Sequence, residues 1–454
     1  MEIPFAFEPI LVFGCLSIFL LIGVVLRAKI AFFQKFLFPS CLIGGLLGLI
    51  LISVGLIDLP IPIFETFAYH FFVLSFISVG LTGGGGQDRP EAGHRALLKG
   101  PLWMALIEGV TISAQAVCGC LLVLLFGFLG WDLFPTFGLL VPLGFTEGPG
   151  QALSIGKVWE GFGFAHAATI GLTFAAIGFL FAFFVGVPLV NWGIRRGLPV
   201  HSPGTLPRDL LVGVIPGDQD KEPAGHLTMH SGNIDTLAFQ MALVGLVYVV
   251  TYVFVILLAR LLPPDVGKTL WGFFFFFGMF FGLVIRWLMG RFGVAHLIDP
   301  GIQRRITGWA VDFLIVSTVM AVQLVIVWQF IVPILVMSLT GGVVTTFLVI
   351  YFGKRISDLN LERTVSIYGT CTGTVSSGLL LLRIADPDFR TPVALEIGLM
   401  NILVVPIILG AMILVNAPVW WGWSVGLTAL VFLGLFILCL ALLRILNYWG
   451  RPKF

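Results

Sequence analysis

The chain has 454 residues, of which 58% are hydrophobic and only 11% are charged, and its mean hydropathy is +1.07. Because a soluble domain carries about 25% charged residues, this composition excludes a large soluble domain. The net charge of +2, from 25 basic and 23 acidic residues, says little about partners, and we expect no nucleic-acid partner. The composition predicts an all-α polytopic protein embedded in the lipid bilayer.

Apolar runs long enough to cross ~30 Å of hydrocarbon recur along the whole chain. We predict eleven membrane spans. In chain order they cover residues 10–26, 38–57, 66–86, 100–128, 161–193, 236–260, 269–288, 306–328, 330–352, 391–415 and 419–443.

Two further apolar segments, near 134–158 and 364–384, are interrupted by glycines, a proline and small hydroxyls. Gly144 pairs with Gly369 and Gly148 with Gly373, each at an offset of 225 residues. Broken helices survive at membrane depth only where protein or a water-filled cavity satisfies the backbone. A pair of them in corresponding halves indicates the binding site of a secondary transporter. The alternative is close helix packing by small residues.

The basic residues predict the orientation of the spans. With the amino terminus outside, every Lys and Arg except Lys157, Arg260 and Lys268 falls on the cytoplasmic side, as the positive-inside rule requires. Each half then has five spans, so the second half is inverted, and the two re-entrant loops enter from opposite sides. We expect a first repeat at 1–194, a cytoplasmic linker at 195–235, a second repeat at 236–415 and an extra C-terminal helix with a cytoplasmic tail at 416–454.

Several glycine and proline motifs occur in the order found in a known family. Pro39 precedes Gly44-Gly45-Leu46-Leu47 in the second span, which matches a P-x(4)-G-G-L-L helix. The matches downstream are Gly148, Gly150 and Lys157, then Gly163-Phe164, Gly178, Gly186 and Pro188, and finally Gly369 and Cys371. In these motifs, over most of residues 9–415, the chain resembles the bacterial sodium/glutamate symporters.

The resemblance implies uptake of glutamate coupled to Na⁺, in the cell (inner) membrane, by a homodimer with a static domain and a moving, elevator-like transport domain. It implies no enzymatic activity, and no cofactor besides Na⁺ as the coupling ion. The chain departs from the family pattern at Glu147, Pro149, Gln151 and Thr370, and in its eleventh span.

Three alternatives to Na⁺-coupled glutamate uptake remain open at this stage. The chain could carry another small carboxylate, or couple to protons through Asp312 or Glu147. A passive channel is another possibility. A membrane-embedded hydrolase is disfavoured because no H-E-x-x-H motif occurs.

The candidate substrate site consists of residues around both helix breaks, because glycine allows close backbone approach and helix N-termini attract carboxylates. From the first break these residues are Thr146, Glu147, Gly148, Pro149, Gly150 and Gln151; from the second they are Thr370, Cys371, Thr372, Gly373, Thr374, Ser376, Ser377 and Arg383.

Some candidates have a second interpretation. Arg383 could hold a substrate carboxylate or anchor the segment at the cytoplasmic interface, and the hydroxyls could simply bond to their own helices. Asp312, Ser78 and Thr318 are the candidate sodium ligands, since Na⁺ prefers oxygen.

Other acids at membrane depth are expected to be functional or paired. Glu147 could pair with a cation or with Lys157. Glu108 and Gln115 share one face of the fourth span, two turns apart, and Glu396 lies in the tenth span.

Overall fold

A computed structural model describes residues 7–82, 94–201, 208–217, 221, 223–356, 358–387 and 389–453, and for residues 94–97 it describes the backbone alone. The end of the predicted third span, Arg89 and parts of the predicted linker lie outside these ranges. Within them every regular element is a helix, apart from short 3-10 turns at Phe137–Leu139, Leu270–Phe273 and Ala295–Leu297.

The α-helices follow one another with short connections. In chain order they are α1 (Glu8–Lys29), α2 (Ala31–Lys35), α3 (Ser40–Ser53), α4 (Ile61–Thr82), α5 (His94–Phe128), α6 (Leu140–Phe145), α7 (Pro149–Glu160), α8 (Ala167–Phe184), α9 (Gly186–Arg195), α10 (Arg208–Val212), α11 (Thr236–Leu261), α12 (Pro264–Thr269), α13 (Phe274–Arg291), α14 (Pro300–Met320), α15 (Leu324–Gln329), α16 (Ile331–Gly353), α17 (Asn360–Thr372), α18 (Val375–Ala385), α19 (Val393–Leu403), α20 (Val405–Val415), α21 (Ala417–Trp421) and α22 (Val425–Ile445).

The described residues contain eight helices long and apolar enough to cross a membrane, or nine if α19 and α20, bent by 49°, form one span. This confirms an all-helical polytopic membrane protein. The prediction of eleven full spans is not matched. The predicted span 38–57 forms only the 14 residues of α3, about 21 Å of helix. The predicted span 306–328 is split, because α14 ends at Met320 and α15 begins only at Leu324. α14 also begins earlier than predicted and carries Arg304, Arg305 and Asp312.

The membrane helices form two bundles. In the first bundle α4 packs along α14 and α13, while α3 packs against α1 and α14, and α11 against α13. In the second bundle α5 packs along α22, α16 and α19, while α8 contacts α6 and α7, and α17 contacts α18. Contacts between the bundles run mainly through α7, which meets α4, α14 and the turn at Leu270–Phe273.

Both interrupted segments break at one of the two predicted glycine pairs, Gly148 and Gly373, whereas Gly144 and Gly369 lie within α6 and α17. Gly148, between α6 and α7, has φ 88° and ψ 179°, a backbone region that is essentially restricted to glycine. Pro149 then opens α7, a position that suits its fixed φ and missing N–H. In the second segment α17 ends at Thr372, and Gly373 and Thr374 separate it from α18.

Candidate functional site

The two helix breaks lie against each other. A Cβ atom built on Gly148 would lie 3.1 Å from Cγ2 of Thr374 and 3.2 Å from the carbonyl oxygen of Gly373. On the other side of the same break, the Thr146 hydroxyl lies 3.3 Å from the carbonyl oxygen of Cys371. The fold therefore brings together two segments that are about half the chain apart in sequence.

Gln115 of α5 joins both breaks through its side-chain amide. Its Oε1 accepts a hydrogen bond from the Thr146 hydroxyl at 2.8 Å. Its Nε2 donates to the Thr345 hydroxyl of α16 at 2.8 Å and to the Cys371 carbonyl at 3.4 Å. Since Gln115 is fully buried, these bonds fix the breaks between the long helices α5 and α16.

In the described part of the chain, four buried oxygen atoms near the breaks have no hydrogen-bond partner. They are Oε1 of Glu147, Oε1 of Gln151, Oγ1 of Thr374 and Oε2 of Glu108. Native proteins leave few buried polar atoms unpaired, and each exception calls for an explanation such as an absent water or ion. These oxygens are therefore the strongest sign of a ligand in this part of the molecule.

The unpaired oxygens belong to neighbouring side chains. The Gln151 amide nitrogen is 3.5 Å from Oε2 of Glu147. Glu147 follows Thr146, whose hydroxyl lies 3.3 Å from the Cys371 carbonyl oxygen, and Glu108 lies one turn before Thr111, which contacts the Cys371 thiol. That thiol accepts a hydrogen bond from the Thr111 hydroxyl at 3.1 Å. Glu108, which the sequence singled out with Gln115, thus lies beside the first break.

Several candidate residues have structural roles instead. The hydroxyls of Thr370 and Thr372 donate to carbonyls one turn earlier in α17, as the alternative interpretation of these hydroxyls predicts. Ser376 is exposed. Arg383 is also exposed, with its guanidinium 5.0 Å from the ring centre of Phe389, an arrangement that suits the interface anchor.

Two of the remaining candidates pack tightly. Ser377 is buried, and its hydroxyl would lie 2.8 Å from a Cβ on Gly373. Gly150 lies directly against the ring of buried Phe72, which leaves no room for a methyl group. The absence of a side chain at Gly150 therefore has a packing reason.

The structure does not assemble the candidate sodium ligands. The Ser78 hydroxyl donates to the carbonyl and to Oε1 of Gln303, at 2.8 and 2.6 Å. Thr318, which bonds to the Ile315 carbonyl, lies 15 residues beyond Gln303 on α14, about 22 Å along the axis. Asp312 is on an exposed face of the same helix. Among the described residues, no group of three or more His, Cys, Asp or Glu side chains is placed to hold a metal ion.

Lys157 does not neutralise Glu147. Its ammonium group lies 2.8 Å from Oε2 of Glu65 on α4 and 3.0 Å from Oε2 of Glu160 on α7. The ion pair with Glu65 joins the two bundles. It borders two cavities of about 290 and 610 Å³, and Lys268 also lines the larger one. Both of these lysines are among the three basic residues that the orientation prediction places outside the cytoplasmic loops.

Arg363 was predicted to be a cytoplasmic loop residue, which is wrong. It lies within α17 and is only 2% exposed. Its Nε and NH2 atoms donate to the two carboxylate oxygens of Glu396 at 2.7 and 2.5 Å, and NH1 is 3.0 Å from Asp358. Glu396, an acid inside a predicted span, was a sign that a basic partner had to lie nearby.

No protein-family model, no curated protein and no solved structure matches the chain. The likeness to the sodium/glutamate symporters therefore stays a prediction.

Proposed function

We propose that this chain is a secondary transporter that carries a small carboxylate through a site where its two helix breaks meet. The observation that carries the proposal is the contact of Gly148 with the Gly373 carbonyl and the Thr374 methyl group. Broken helices facing each other between the two halves of a chain are typical of transporter binding sites.

The inverted-repeat architecture is supported by reciprocal packing. If α1, α3, α4 and α5 correspond to α11, α13, α14 and α16, a two-fold axis requires each contact to have a mirrored partner. The contact of α3 with α14 corresponds to that of α13 with α4. The contact of α1 with α14 likewise corresponds to that of α11 with α4. Helices that lie on the axis should contact their own counterparts, and α4 packs on α14 as α5 packs on α16.

A moving transport domain is supported by the division into two bundles. The second bundle holds both breaks, and its contacts with the first bundle pass mainly through α7. We propose that the first bundle is static and forms the homodimer, and that the second moves across the cell (inner) membrane. The cavities beside Lys157 and Lys268 then face the outside, in line with an outer N-terminus and a cytoplasmic C-terminus.

The substrate class is supported by the direction of the helices at the breaks. Both α7 and α18 begin at the meeting point, so two helix N-termini with partial positive charge converge there. Such ends favour a carboxylate. The resemblance to the sodium/glutamate symporters names glutamate as substrate and Na⁺ as coupling ion. A different small carboxylate, moved with Na⁺ or H⁺, is the second candidate.

Counterflow in proteoliposomes tests this function. Purified protein is loaded with unlabelled carboxylate, and entry of labelled glutamate, aspartate, lactate or succinate is measured with Na⁺ or choline outside. We expect transient accumulation above equilibrium for at least one carboxylate, and only with Na⁺. Entry that never exceeds equilibrium would indicate a channel, and the absence of any protein-dependent entry would contradict the proposal.

A further inference from the structure

The acids beside the first break have no basic partner in the contacts of the described residues. Glu108 is 6% exposed, and its Oε2 makes no hydrogen bond. Glu147 has one oxygen near the Gln151 amide and the other without a partner. Removing two carboxylates from water is costly unless a positive charge or hydrogen bonds compensate for the lost solvation.

The basic residues of the two broken segments are committed elsewhere. Lys157 is bound by Glu65 and Glu160. Arg363 is bound by Glu396 and Asp358, and Arg383 is exposed beside Phe389. No basic side chain of the broken segments is therefore placed to compensate the charge of Glu108 or Glu147.

Two neutral oxygen atoms at the breaks also lack a hydrogen-bond partner. Gln151 is 2% exposed, its amide group contacts Glu147, and its own Oε1 has no partner. The Thr374 hydroxyl is also without a partner, and Thr374 lies across the contact between the breaks, since its methyl group faces Gly148. The unpaired atoms are thus two carboxylate oxygens, one amide oxygen and one hydroxyl oxygen.

We propose that Glu108, Glu147, Gln151 and Thr374 form a binding site for a hard monovalent cation, with Na⁺ as its occupant. Hard cations take oxygen ligands, and these four come from α5, from the first break and from the second. Because a cation here would be held by both broken segments at once, its presence would favour the arrangement in which they meet. The role as coupling ion rests on the proposed transport function, whereas binding itself does not.

Cation binding is measured on the full-length protein in detergent, without any carboxylate. Thermal unfolding is followed while NaCl replaces choline chloride at constant ionic strength, with KCl as a second series. A ligand that binds only the folded state raises the melting temperature in a saturable manner. We expect this response with Na⁺ and a much weaker one with K⁺.

Variants assign the response to the site. Glu147→Gln and Glu108→Gln keep the side-chain shape but remove a charge, and each should raise the Na⁺ concentration at half-effect by about tenfold or more, because charge count sets affinity for hard cations. Gln151→Leu removes a neutral oxygen and should weaken binding less. Glu160→Gln is the control, since Glu160 lies on the same helix but contacts Lys157, and it should keep the wild-type midpoint. If a glutamine variant does not fold, Gln151→Leu and ²²Na⁺ binding by the wild type still test the site.

The outcomes separate this site from the transport function. Na⁺ stabilisation that is unchanged in Glu147→Gln and Glu108→Gln overturns the site, even if counterflow occurs. A wild type that responds to acidification or to divalent cations but not to Na⁺ overturns it as well. Na⁺ binding that depends on Glu147, in a protein that transports no carboxylate, supports the site and contradicts only the transport proposal.

Discussion

Gly148 faces the carbonyl oxygen of Gly373, which a Cβ on Gly148 would approach to 3.2 Å. At φ 88° and ψ 179° the Gly148 backbone adopts a conformation that costs other residues of order 1–3 kcal/mol. Glycine at this position thus permits both the sharp turn and the close approach of the second segment. The turn also directs the N-terminus of α7 at the meeting point.

Gly150 should behave as a packing residue rather than as part of the site. A methyl group added at Gly150 would overlap the ring of Phe72 on α4. Gly150→Ala is therefore expected to destabilise the protein by about 1–3 kcal/mol through overpacking. Adding Phe72→Leu makes room for the methyl group and should restore part of the loss. Unfolding of both single variants and the double variant measures this coupling; strictly additive losses would show that the two side chains do not interact.

Glu396 should be required for stability because it compensates a buried charge. Glu396→Ala leaves the guanidinium of Arg363, 2% exposed, with only the partly exposed Asp358 carboxylate, and removal of one partner from a buried pair costs about 3–5 kcal/mol. The double variant Arg363→Met/Glu396→Leu removes both charges and should recover most of that loss.

Asp265 provides the control for Glu396. Its ion pair with Lys268 measures 4.0 Å, and both side chains are more than 60% exposed, so Asp265→Ala should change stability by no more than about 1 kcal/mol. Denaturant unfolding in detergent compares the variants. Equal effects of Glu396→Ala and Asp265→Ala would contradict the assignment of a stabilising buried pair.

Motion of the second bundle requires the contact between Glu65 and Lys157 to change during transport. In a background without the native cysteines, Glu65→Cys/Lys157→Cys joined by a short bifunctional maleimide should stop counterflow. The control pair Phe254→Cys/Phe281→Cys lies within the first bundle, where the two rings are 5.0 Å apart, and its cross-linking should leave counterflow intact. Full activity of the cross-linked Glu65–Lys157 pair would mean that the bundles do not separate there.

The helix breaks were predictable because their cause is local. Proline at the start of α7 and glycine at positive φ are backbone requirements that sequence shows directly. Hydropathy likewise predicted the membrane class and most of the helices. It failed for α3, because the apolar run is longer than the helix. Hydropathy does not show that the ends of this run, near Pro39 and Gly55, lie outside α3.

The partners of the polar side chains were harder to predict, since they depend on packing between distant segments. Ser78 resembled an ion ligand until Gln303 proved to bind its hydroxyl. The partner of Arg363 was not evident because Glu396 is 33 positions away in the sequence. Glu108 was a candidate from the sequence, but its connection to the first break through Thr111 and Cys371 depends on the fold.

The most direct test of the central claim compares counterflow per folded molecule in Gly148→Ala and Gly130→Ala. Gly130 has nearly the same φ, 86°, and nothing within 4 Å of its missing Cβ, so it matches the positive φ without the contact between the breaks. If the meeting point is the transport site, Gly148→Ala abolishes specific counterflow and Gly130→Ala retains it. Equal specific counterflow in both variants would show that the meeting point of the two breaks has only a structural role and that the transport site lies elsewhere.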